Sequence, residues 1–112
     1  MSPLQPTAQR AAQLFKEKVL HQVGPRIEKL VVFGSRVRGD ERADSDLDIL
    51  ILVDRRDLQL DRQIIDAACD VEIEMGFPFQ VAPRIMSTQH YRELLEHELK
   101  LAKDIEAEGV PL

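Results

Sequence analysis

Two aspartates, Asp46 and Asp48, stand one residue apart at the head of an apolar run, 46–53 (DLDILILV). Upstream, Gly34 and Ser35 close a second apolar run, 30–33 (LVVF). If 46–53 is a strand, alternate side chains share a face, so both carboxylates point the same way. Their Cα atoms then lie about 6.5–7 Å apart, from a rise of roughly 3.3 Å per residue. Carboxylates that close repel, and one resists ionisation unless a cation lies between them. Magnesium suits the pair, because it takes hard oxygen ligands, often one or two carboxylates plus substrate phosphates.

The Gly-Ser pair supplies the other half of such a site. A strand that ends at Gly34 and turns into a short helix near Ser35 aims helix-start amides outward, where they favour anions. Glycine removes the Cβ that would block a phosphate's approach, and the serine hydroxyl adds a donor. Gly39 is placed to release that short helix into the polar loop 39–45 (GDERADS). Together the parts suit a nucleoside triphosphate with magnesium, set for metal-assisted displacement at phosphorus.

The elements that must position these residues follow from periodicity. Residues 6–23 read as a helix, with Ala8, Ala12, Phe15, Val19 and Val23 in one stripe, stopped by Gly24-Pro25. Residues 30–33 and 46–53 read as strands. The second is apolar on both faces past its start and is expected to be central. Residues 57–75 read as a helix with Ile64, Ala68, Val71 and Met75 on one face. A rival reading makes 70–75 (DVEIEM) a half-buried strand, because it alternates with period two. Residues 79–86 read as a third strand, with Pro83 placing it at a sheet edge or on a bulge. Ser87 or Thr88 caps a last helix over 88–108, with Tyr91, Leu94, Leu95, Ala102 and Ile105 inward, and Gly109 ends it. The expected class is α/β (α+β): one domain over 1–112, a small mixed sheet packed by helices.

Composition bounds the rest. The chain has 112 residues, 44% of them apolar, and a net charge of −5. It should fold as a globule. It lacks the excess positive charge of a bulk nucleic-acid binder. No apolar run has the length of a membrane span, and the start (MSPLQPTAQR) has no signal-peptide core. Cys69 is the one cysteine, so no internal disulfide forms, and it is expected to be a small buried or half-buried residue. These features point to the cytoplasm. His21, His90 and His97 are expected on helix surfaces.

The joint pattern is more telling than its parts. Gly-Ser, a glycine four residues on, then Ser-Asp-x-Asp running into an apolar strand resembles the signature of the DNA polymerase β-like nucleotidyltransferases, and within them the minimal nucleotidyltransferases. The resemblance implies that Gly34 and Ser35 bind the donor triphosphate and that Asp46 and Asp48 hold divalent metal as the catalytic pair. Ser45, in the Ser-Asp-x-Asp segment, and Arg36 are expected to join Gly34 and Ser35 in nucleotide binding. Arg36 and Arg38 are expected to steer the triphosphate. Magnesium is the implied cofactor and ATP, or another NTP, the substrate. Many minimal members act as antitoxins beside a HEPN-domain toxin, and some transfer AMP to it, so such a protein is the implied partner. A homo-oligomer is compatible with the sequence.

One departure stands out. The family places a third acid on the next core strand, and no Asp or Glu lies between Met75 and Met86. Gln80 is the positional match, and an amide is no general base. Under the rival strand reading, Glu72 or Glu74 would supply the acid. Three functions follow: an AMP-transferring enzyme acting on a partner protein, a noncatalytic module that masks its partner, or a transferase acting on a small molecule such as an aminoglycoside.

Overall fold

The structure is a computed structural model that describes residues 4–112. Helix α1 spans Pro6–Val23, and a single 3-10 turn, Gly24–Arg26, leads into β1, Ile27–Phe33. A short helix, α2 (Ser35–Arg38), and the polar loop lead to β2, Leu47–Val53. Then follow α3 (Leu58–Glu74), β3 (Val81–Ser87), α4 (Thr88–Glu96), α5 (Lys100–Glu108) and a two-residue strand β4, Val110–Pro111.

The sheet order is β3-β2-β1-β4. Strand β1 pairs antiparallel with both β2 and β4, while β2 pairs parallel with β3. The sheet is therefore mixed, with β2 inside it, and the expected fold class holds. Strand β3 is an edge, as Pro83 requires. Proline lacks the N–H that an interior ladder position would need.

Alternation along β2 divides the core in two. Leu47, Ile49, Ile51 and Val53 face α1 and α3, in a cluster with Ala8, Phe15, Val19, Ile64 and Val71. Leu50 and Leu52 face the other way, with Val31, Phe33, Met86, Tyr91, Ala102 and Ile105. Each such side chain gains about 1.5–3 kcal/mol from leaving water, so slipping β2 by one residue would exchange both packed sets at once. That cost fixes which face Asp48 takes: the side of α4 and α5, beyond the last apolar layer.

The helix read over 57–75 forms as α3, and other expectations need correction. Residues 70–74 are helical and Met75 caps the helix, so the rival strand does not form. Strand β1 starts at Ile27, three residues earlier than expected. The apolar positions Ile64, Ala68 and Val71 are buried on one helical face. The last helix is two helices. Helix α4 ends with Glu98 in the left-handed region (φ 54°), and the Glu98 and Leu99 amides donate back to Leu95 and Leu94. This is a helix-ending motif normally carried by glycine. The third strand starts at Val81, two residues later than expected, and β4 is an additional strand. Cys69 is exposed, because it lies on the outer face of α3. Other expectations hold. Ser87 caps α4 by accepting from the His90 amide at 3.1 Å. Tyr91 is buried against the sheet, and its hydroxyl donates to Glu106 Oε2 at 3.0 Å. Burial and that carboxylate push the Tyr91 phenol far up from its ordinary value.

Candidate active site

Antiparallel pairing brings the two halves of the motif together. Phe33, the last residue of β1, pairs with Asp48 of β2. The next residue, Gly34, therefore turns directly over the Asp48 side chain. Gly34 has φ 88°, and a Cβ built on it would lie 2.3 Å from Asp48 Oδ2. Two constraints thus demand glycine here: the backbone angle and the space already filled by a carboxylate. Helix α2 starts at Ser35, with Val37 and Arg38 amides donating to the Gly34 carbonyl. The earlier amides, of Ser35 and Arg36, precede the helical ladder and stay available at the turn. Gly39, at φ 84°, ends α2 as expected.

A cleft of about 310 Å³ opens at this point, lined by Gly34, Ser35, Arg38 and Asp48 and, from α5, Leu101, Asp104 and Glu108. Asp46, one residue before β2, is exposed and borders a separate groove with Asp44, Phe77, Pro78, Phe79 and Gln80. The two aspartates remain electrostatically coupled. Burial first, and the Asp46 charge second, hold the Asp48 carboxyl above its ordinary range, while Arg84 and Arg38 pull it back down. Burial is the larger cause, and the neighbouring anion adds to it. Asp48 in the cleft, with Asp46 in the adjoining groove, offers the hard oxygen ligands that magnesium takes alongside phosphates and water, although among the described residues no group of three or more His, Cys, Asp or Glu is gathered to hold a metal.

Arg36 does not reach the cleft. It is buried, donates from Nε to the Ser45 carbonyl at 2.9 Å and from Nη2 to the Ala43 carbonyl at 3.2 Å, and lies 3.9 Å above the centre of the Phe79 ring. It holds the loop that delivers Asp46. Ser45 likewise faces the loop: its Oγ accepts from the Arg42 amide at 2.8 Å. Arg38 does line the cleft, paired with Asp40 at 3.5 Å and Glu108 at 3.6 Å.

The strand beside β2 carries no acid. Asp48 pairs in register with Ala82, and Leu50 with Arg84. Ala82, not Gln80, therefore stands level with Asp48. Gln80 precedes the strand, and its carbonyl accepts from the Leu47 amide at 2.8 Å. Glu72 is also no substitute, since its carboxylate accepts from the Val81 amide at 2.7 Å and so fixes the start of β3. Glu74 pairs with Lys18 at 2.8 Å. The sequence reading missed Arg84, Leu101, Asp104 and Glu108. The last three share one face of α5 by their three- and four-residue spacing, a signal that could have grouped them but not placed them over the cleft.

The mixed sheet, with a glycine turn closing on Asp48 of its inner strand, is a nucleotidyltransferase-like fold. Residues 16–109 match the family described as "Polymerase beta, Nucleotidyltransferase", and the chain belongs to that family. A solved structure assigned as a minimal nucleotidyltransferase is similar over 94% of this chain and 95% of its own, with 25% identity and a TM-score of 0.56. No curated protein matches the chain. Among the described residues, no helix is long and apolar enough to cross a membrane.

Proposed function

We propose that this chain is a magnesium-dependent nucleotidyltransferase that transfers AMP from ATP to a hydroxyl on a partner protein, breaking the α–β phosphoanhydride bond and releasing pyrophosphate and the hydroxyl proton, as the antitoxin of a HEPN-type toxin. One observation carries the reading: Gly34 closes over Asp48 so tightly that phosphate turn and metal-binding carboxylate form one wall of one cleft. Gly34, Ser35 and the amides at the start of α2 bind the outer phosphates. Arg38 supplies positive charge beside them. Asp46 and Asp48 hold the metal. Bound magnesium would neutralise the carboxylates and the phosphates and polarise the phosphorus under attack. The choice of ATP and of a HEPN partner rests on the resemblance to minimal nucleotidyltransferases.

The test is direct. The protein is mixed with labelled ATP, magnesium and the product of the adjacent gene, and intact masses are read. A gain of one AMP on the partner is expected, and none with Asp46→Asn plus Asp48→Asn.

A second reading draws on the absence of an acid from β3, where Ala82 stands level with Asp48. The domain would then bind its partner, with or without nucleotide, and mask it. Partner neutralisation that survives the double asparagine variant, with no transfer by either protein, would select this reading.

A further inference from the structure

The outer face of α3 is apolar where a surface helix should be polar. Leu58 is 85% exposed, Ile65 48% and Ile73 62%, and Cys69 is exposed between the last two. At about 100° per residue these four lie on one line, on the side of the helix away from Leu60, Ile64, Ala67 and Val71. None of the core clusters includes them. Ile65 also borders a groove with Pro83 and Ile85 of β3, so the stripe continues onto the open edge of the sheet.

Charge along the helix says what covers this face. Arg55, Arg56 and Arg62 lie at the N-terminal end together with Asp57 and Asp61, while Asp66, Asp70, Glu72 and Glu74 follow with no lysine or arginine among them. Several of these charges are already occupied. Arg56 pairs with Asp61 at 2.7 Å, Glu74 with Lys18 at 2.8 Å, and Glu72 accepts from the Val81 amide at 2.7 Å. Arg62 and Asp66 make no ion pair among the described residues, and Asp70 has only the longer-range attraction of Lys18. At the same spacing Arg62 falls within the apolar line, and Asp66 and Asp70 lie along one side of it.

We propose that α3 is the interface of a two-fold homodimer in which the helices of two copies pack antiparallel. With Ile65 at the two-fold axis, Leu58 of each copy meets Ile73 of the other. Arg62 of each then faces Asp66 and Asp70 of the other. A two-fold axis makes the same patch serve both subunits, so its charges must complement themselves, and this distribution does so only head to tail. A parallel pair would set Arg62, which lies within the apolar line, against its own copy. Antiparallel helix dipoles add in the same direction. The groove at Ile65 also reaches Asp48 and Arg84, so this interface borders the candidate site.

Sedimentation equilibrium of the full chain tests this without reference to activity. The native protein is expected to show twice the chain mass at micromolar concentration. Ile65→Asp is expected to weaken the dimer by about a hundredfold or more, since it places two carboxylates at the axis in an apolar contact. Because Ile65 is a surface residue, the circular dichroism of the Ile65→Asp variant should stay native. Arg62→Asp alone should weaken the dimer, and adding Asp66→Arg with Asp70→Arg should restore it. A native chain that is monomeric at high micromolar concentration overturns the proposal. So does a dimer that survives Ile65→Asp, or a triple charge reversal that fails to restore association.

Discussion

Strand β2 has two long neighbours, and they treat its Asp48 differently. On the β1 side, antiparallel register sets Phe33 against Asp48, and the turn at Gly34 closes on the carboxylate with no space to spare. On the β3 side, parallel register sets Ala82 against Asp48 and Arg84 one step further along the same face. The first flank carries the glycine turn beside Asp48, where the phosphate and metal ion of the proposed reaction would sit. The second carries no acid and supplies a cation instead. Under the proposed function, donor binding and acceptor activation would lie on opposite flanks of one strand and rest on independent pairings.

The largest effect should come from breaking what both flanks share. Asp46→Asn with Asp48→Asn is expected to lower nucleotide transfer by at least about a hundredfold, the scale lost when charge stabilisation at a reacting centre is removed. Intact-mass assays with labelled ATP check it. Next comes the β3 flank. Ala82→Asp restores an acid level with Asp48, and transfer to the partner should rise by about tenfold or more if that acid is what limits the rate. An unchanged rate would show that acceptor activation does not depend on this flank.

On the β1 flank, Gly34→Ala should cost about 1–3 kcal/mol of folding stability, measured by urea unfolding, because it combines a left-handed backbone with a carboxylate contact. ATP binding by calorimetry should weaken with it. The smallest effect concerns the strain at Asp48 itself. Its carboxyl lies above its ordinary value of 3.8 because of burial and then Asp46. The folded protein therefore binds the proton more tightly than the unfolded chain. Stability of the metal-free protein should fall as pH rises from about 4 through the raised value, and stay lower above it. Asp48→Asn should remove that fall and raise metal-free stability at neutral pH by about 0.5–2 kcal/mol, as substitutions at functional sites commonly do. Thermal melts across pH 4–8 check both statements. A native protein that grows more stable across this range would mean the pair serves the fold. Magnesium affinity should change in the opposite sense, strengthening as pH rises, since the ion binds the ionised carboxylate.

Reading ahead from sequence succeeded where the signal was local. The helix that ends at Gly76 was legible because glycine marks its left-handed cap at φ 74°. Helix α4 ends in the same hydrogen-bonded motif with Glu98 in the glycine position, and so the break at His97 to Leu99 was invisible. Arg36 and Ser45 show a second limit. Both stand beside the motif in the chain, and both turn inward to brace the loop that carries Asp46. Proximity in sequence gave no direction for the side chain. Cys69 shows a third: its residue type points to a buried or half-buried position, and the helix phase puts it outside.

Amino-acid order alone determined the apolar run that must be a central strand, the glycine turn before it, and the aspartate pair at its head. Each depends on neighbours within a few residues, where φ preference and side-chain alternation act. Only the tertiary structure decided which residues face one another across the sheet. Strand β3 returns after a whole helix, and the register it takes is set by packing α3 against the sheet and by Glu72 receiving the Val81 amide. A two-residue change in that register would have brought Gln80 or Arg84 beside Asp48 in place of Ala82. No local preference distinguishes these outcomes, because the energy that selects among them comes from side chains far apart in the chain.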